Sequence, residues 1–192
     1  MRKTILSLLS IGAFAGIGAV QAQTYKIDPS HSYIGFEIEH LGFSTTMGQF
    51  HDYDVTINAD WDQIESSNVS VAIRTNSVDT AWDARDEHLR RPDFFHVEMH
   101  PEMTFTSGEI TKTGENTAKI EGALTMLGIT KTVILDVQLV KRGAYPFGDK
   151  AEALGIKAQA VIKRSEWGLN YGIPAVSDEV TLRIDGEFRA AE

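Results

Sequence analysis

The 192 residues carry 18 Lys and Arg against 27 Asp and Glu and are 42% hydrophobic, which excludes a disordered tail and fits a packed domain. The acidic balance argues against nucleic acid as a partner, because neutralising phosphates needs clustered Lys and Arg. With no Cys, disulfides, thiolate nucleophiles and Cys-based metal sites are excluded together.

Residues 1–22 read as a cleaved secretory signal: Arg2 and Lys3 form a positive start, Ile5 to Val20 an apolar run, and Val20-Gln21-Ala22 a small-x-small cleavage site. A retained anchor is the alternative, disfavoured by the shortness of the segment and by Gly12, Gly16 and Gly18 within it. Export predicts a mature chain from Gln23 with 16 basic against 27 acidic residues, a formal charge of −11. No other stretch approaches the ~18 apolar residues that span a bilayer, so no stable membrane insertion is expected. Residues 23–192 are expected to form one domain, long enough to bury a core without disulfides.

From Gln23 onward the pattern has period two, the signature of half-buried strands. The inward phase reads Ile34, Phe36, Ile38; Tyr53, Val55, Ile57; Val69, Val71, Ile73; and Met103, Phe105. It continues through Ile120, Gly122, Leu124; Val133, Leu135, Val137, Leu139; Ile156, Ala158, Ala160, Ile162; and Val180, Leu182, Ile184. These eight runs, dry on one face and polar on the other, predict an all-β protein. Such sheets close as a barrel or stack as a sandwich, and the mostly short connections favour an eight-stranded antiparallel barrel. A barrel of that size either fills with its own side chains or holds one small ligand.

One short helix is expected between strands, over Ala81 to Arg91, with Thr80 as N-cap, Asp83 as capping partner and Pro92 as stop. A helix this short must dock, with Trp82, Leu89 and the Phe94-Phe95 pair as anchors. Its Asp86 and His88 resemble acid/base equipment, yet no nucleophile motif or phosphate loop accompanies them, so no catalytic residue is assigned. His96 and His100 are the close histidine pair, but Pro101 and the strand beyond it favour a loop over a helical zinc pair, and neither a metal nor a cofactor is assigned. His40 shares the phase of Ile38, which points it into the barrel or its mouth, and a hydrogen-bonded core histidine at a strand end is the favoured reading. Small inward residues, Gly122, Ala158, Ala160 and Gly186, either leave a cavity or merely suit the barrel's taper. An open cavity would be walled by Phe36, Ile38, Phe105, Leu124, Leu135, Val137, Ile162 and Leu182 and would select an apolar, elongated ligand.

Several short runs together resemble the YceI family of exported, lipocalin-like proteins. They are Ile27-Asp28 followed by His31-Ser32; Phe36 to Gly42; Gly48-Gln49-Phe50; Asn76 to Thr80; Arg85-Asp86-Glu87-His88-Leu89-Arg90 with Asp93-Phe94-Phe95; Thr104 to Ser107; and Gly122 to Thr125 leading to Gly128-Ile129-Thr130-Lys131. The resemblance runs from about Tyr25 to Phe188. It implies a lipocalin-like barrel with a tunnel, a periplasmic address, and an isoprenoid lipid as partner, carried as a prenyl phosphate or quinone-type tail. Trp167 stands in the aromatic place of the family's Arg-x-x-Phe-Gly run, which implies a tunnel wall of altered width there. Arg85, His88 and Arg90, on the docked helix, are the candidates for holding a head group. The alternatives are a lipid-modifying enzyme with a His88/Asp86 pair, and a stress-related structural protein with a filled barrel.

Overall fold

The computed structural model describes residues 22–191, so the signal sequence read at residues 1–22 lies almost wholly outside the described residues. The strands are β1 (Gln23–His40), β2 (Ser44–Phe50), β3 (Tyr53–Ala59), β4 (Asn68–Arg74), β5 (Val78–Asp79), β6 (Glu102–Lys112), β7 (Thr117–Met126), β8 (Ile129–Ala144), β9 (Glu152–Lys163) and β10 (Val176–Ala190). The helix α1 (Asp83–Leu89) follows β5. All neighbouring pairs are antiparallel, and β10 pairs back onto β1 to close the sheet.

The strand segments reduce to eight staves. The second half of β1 pairs with β2 and its first residues with β3, so β2 and β3 form one stave broken at His51-Asp52. In the same way β3 pairs with β4 and β2 with β5. The break changes phase: Phe50 is buried on the even side and Tyr53, Val55 and Ile57 on the odd. β1 changes phase too. Asp28 pairs with Glu187 and Ser32 with Gly186, so three extra residues bulge out, and the inward set passes from Tyr25 and Ile27 to Ile34, Phe36 and Ile38.

Two glycines allow aromatic rings to lie flat across neighbouring staves. A Cβ at Gly48 would meet Phe36 Cζ at 2.3 Å, and one at Gly122 would meet Phe105 Cζ at 2.3 Å. The space at Gly122 is therefore filled by a ring, and that at Gly186 by Ser32 and Phe188, rather than left as cavity. The end of the barrel away from α1 is packed around Tyr25, which is fully buried. Its hydroxyl donates to Glu152 Oε2 at 2.6 Å and accepts from Trp61 Nε1 at 3.0 Å, and the Arg142 guanidinium lies 4.1 Å from the Trp61 ring centroid. Burial pushes the Tyr25 phenol up, while its hydrogen bond holds the Glu152 carboxyl below the usual carboxylate range.

α1 departs from expectation at both ends. The residue before it is Trp82, without a side-chain cap, and Ala81 has a φ of 60°. That left-handed step carries Thr80 away from the first turn. Instead Asp86 reaches back, accepting from Thr80 N at 2.9 Å and from the Thr80 hydroxyl. At the other end Arg90 is drawn to the Asn76 and Val78 carbonyls, at 3.0 and 2.8 Å, and the helix stops before Arg91. Leu89, Phe94 and Phe95 pack on the core, whereas Trp82 is 61% exposed and stays outside it, with the Arg85 guanidinium 5.5 Å from its ring centroid. No helix among the described residues is long and apolar enough to cross a membrane.

Candidate ligand cavity

The staves, α1 and the loops beside it enclose a cavity of about 550 Å³, within the ~300–1,000 Å³ of small-molecule sites. Its wall is the inward phase of the strands. Phe36, Ile38, Phe105, Leu124, Leu135, Val137, Ile162 and Leu182 all line it, and Ala158 does so among the small residues. From Val176 to Phe188 the lining follows β10 for about 30 Å along the barrel axis, taking ~3.3 Å per residue and ~40° tilt. The barrel is thus open inside rather than filled.

Polar groups gather at the α1 end: His40, Ser44 and Thr46 from the β1–β2 hairpin, with Thr80, Arg85 and His88 opposite. His40 is exposed there rather than a core histidine, because β1 ends and turns back at the barrel rim. Arg85 donates from Nε to the Thr80 hydroxyl at 2.7 Å and from Nη2 to the Thr80 carbonyl at 2.6 Å. His88 Nε2 meets Asp93 Oδ2 at 2.8 Å, and its ring stands edge-on to Phe94 and Tyr171 with centroids at 4.9 and 5.1 Å. That hydrogen bond holds the Asp93 carboxyl below its usual range. Asp86 is engaged by Thr80 and His88 by Asp93, so the His88/Asp86 acid/base pair read from the sequence is not formed.

Two of the residues read as site residues lie elsewhere. Arg90 is outside the lining, tied to the backbone ahead of α1. Trp167 is 1% exposed and donates its Nε1 to the Leu124 carbonyl at 3.2 Å, so it backs the wall instead of facing the cavity. It sits in a helical turn after β9, where the strand period no longer says which way a side chain points. Period-two reading also passes over the lining contributed by connections: Leu89, Phe95, Leu169 and Tyr171.

Arg164 organises the connection that brings Leu169 and Tyr171 to the mouth. It is 4% exposed, and its guanidinium donates to the Leu169, Ser177 and Val176 carbonyls at 2.6, 2.8 and 3.0 Å. Next to it Asp178 accepts from the Ser165 N–H and hydroxyl, each at 2.8 Å, which holds that carboxyl below its usual range. The unfolded carboxyl, near pH ~3.9, takes up protons at higher pH than the folded one. The stability from these bonds is therefore complete above about pH 5 and is lost as pH falls through the depressed folded value. Asp178→Asn is expected to flatten the decline of the urea midpoint between about pH 5 and pH 2; an unchanged slope would refute this linkage.

Residues 25–188 match the YceI-like domain family. The chain belongs to the YceI family. A UPF0312 protein of Pectobacterium carotovorum is 39% identical over 186 residues, covering 96% of this chain and 95% of that one. Protein YceI of Escherichia coli O157:H7 is 36% identical over 189 residues, covering 97% of each. Among solved structures, a YceI protein of Campylobacter jejuni is 32% identical with a TM-score of 0.71, covering 86% of this chain and 97% of that one. A polyisoprenoid binding domain from Saccharophagus degradans, 17% identical, superimposes with a TM-score of 0.63 over 88% of this chain and 99% of that one. At that identity the likeness speaks to the fold. This YceI-family chain thus has the eight-stranded closed barrel of its relatives, with the family match spanning every strand from β1 into β10.

Proposed function

We propose that this YceI-family protein is a periplasmic binding or carrier protein that sheathes the tail of an isoprenoid lipid in its barrel. The observation that carries the reading is the continuous apolar wall, from Leu89 and Phe94 at the mouth to Val137 and Phe188 deep inside. Burial of apolar surface supplies the driving force, at roughly 25 cal/mol per Å² or about 0.8 kcal/mol per methylene. Affinity then rises with chain length until the cavity is full. The likeness to a solved polyisoprenoid binding domain supports the same reading.

The head group sits at the mouth, beside His40, Ser44, Thr46, Arg85 and His88. Arg85 is already engaged by Thr80, and His88 by Asp93. An uncharged, quinone-type head fits beside these groups without disturbing the bonds they already make, whereas a phosphate would have to take over donors committed to Thr80 and Asp93. The charge of −11 on the chain after the signal suits a carrier that leaves an anionic leaflet rather than resting on it.

Native mass spectrometry of protein purified from the periplasm without detergent tests the reading. The expected spectrum shows a stoichiometric adduct, released by organic extraction as an isoprenoid of defined length. A clean apo mass that also takes up no added prenyl lipid would refute it. Tighter binding of a prenyl phosphate than of a quinone of equal tail length would refute the head-group assignment alone.

A further inference from the structure

The bulge in β1 builds a second site on the outer wall, away from the lipid cavity. Lys26, Asp28, Glu187 and Arg189 occupy the outward phase of the β1–β10 seam, while Tyr25, Ile27 and Phe188 face inward. Asp28 and Glu187 are paired directly across that seam, and like charges in that relation repel. The three bulged residues then fold His31 back over them. One ligand atom from each of Asp28, His31 and Glu187 lies within 4.8 Å of the other two.

A second observation is independent of this clustering. Glu187 Oε2 is shielded from solvent and has no hydrogen-bond partner among the described residues. Buried carboxylate oxygens are nearly always satisfied, by protein, by ordered water or by a cation. No Lys or Arg forms an ion pair with Glu187 or with Asp28 among the described residues. Among the described residues the only basic partner of either carboxylate is His31, whose Nδ1 lies 3.1 Å from Asp28 Oδ2.

We propose that Asp28, His31 and Glu187 bind a divalent first-row transition-metal ion, with Zn²⁺ and Mn²⁺ as the fitting probes. Two carboxylates and one imidazole are the donor set of such ions, whereas Mg²⁺ and Ca²⁺ prefer oxygen alone. Ligand atoms at ~2.0–2.2 Å from one metal lie ~3–4 Å apart, so the side chains must close by about an ångström. His31, 55% exposed at the tip of the bulge, is free to make that movement. The other side is already held. Ser30 donates its N–H at 3.0 Å and its hydroxyl to Asp28 Oδ1, leaving Oδ2 for the metal, and Glu187 N donates to Ser32 Oγ at 3.2 Å, fixing the bulge against β10. The ion would staple the seam where the last strand meets the first.

The test is calorimetric titration of ZnCl₂ and of MnCl₂ into untagged, EDTA-stripped full-length mature protein, paired with thermal unfolding. The expected result is one ion per chain, a melting temperature that rises with metal concentration, and at least a tenfold weaker affinity in both His31→Ala and Glu187→Gln. His51→Ala, which removes an exposed histidine paired with Asp79 elsewhere on the barrel, should bind like the parent. No uptake of either ion at millimolar concentration, or affinity unchanged in His31→Ala, would overturn the proposal. Because His31 is exposed, its variant keeps the test decisive even if Glu187→Gln unfolds.

Discussion

Ala158→Phe is expected to abolish lipid uptake while leaving the barrel folded. Ala158 lies mid-strand on β9, paired with Val137 on one side and Ile184 on the other, and both neighbours also line the cavity. Its side chain faces open volume, so a phenyl ring there enters the cavity instead of displacing packed neighbours. Ala160, one inward position along, is 6% exposed and outside the lining. The same substitution at Ala160 overpacks the core and should cost about 1–3 kcal/mol of stability. For Ala158→Phe the expected loss of affinity for a long-chain quinone is about 100-fold or more, equivalent to about 2.7 kcal/mol. Quenching of tryptophan fluorescence by an added quinone would read it, since Trp82 lines the mouth and Trp167 backs the wall. Unchanged uptake with an unchanged urea midpoint would mean that the tail does not run past β9.

The sequence shows the barrel wall well because inward residues alternate without interruption along most strands. The runs through Leu124, Leu135, Ile162 and Leu182 are legible for this reason, and so is the cavity wall they form. What stays hidden is hidden by local causes. Ser44-Thr45-Thr46-Met47-Gly48-Gln49-Phe50 does not read as a strand, since Gly48 stands where an apolar residue would be and the Phe36 ring occupies its place. Thr80 has the chemistry of a cap, but the positive φ at Ala81 is a tertiary outcome that no cap signal reveals. Arg85 and Arg90 are five residues apart, about 140° on a helical wheel, which says that they face differently but not that one reaches the cavity and the other the backbone before the helix. The Asp28–His31–Glu187 cluster is beyond local reading altogether, because only closure of the barrel brings β10 against β1.

Arg164→Met is expected to destabilise the protein by about 3–5 kcal/mol, a large part of the ~5–15 kcal/mol that holds a domain of this kind together. The arginine is buried, and burial pulls its pKa below the usual value while Asp178 opposes that shift. Methionine keeps most of the apolar stem but leaves three carbonyls, those of Leu169, Val176 and Ser177, without the donors that reach them now. Bonds from a charged donor contribute roughly 1.5–3 kcal/mol each, and the three are not additive because one side chain makes them all. Arg164→Lys should lose most of the same stability, since one ammonium cannot serve carbonyls arranged around a planar fork. Urea unfolding measures the loss. Hydrogen exchange should also show the connection from Arg164 to Val176 opening ahead of the strands, carrying Leu169 and Tyr171 away from the mouth. A midpoint shift equivalent to less than about 0.5 kcal/mol, the scale of an ordinary surface substitution, would show that this arginine is replaceable by packing alone.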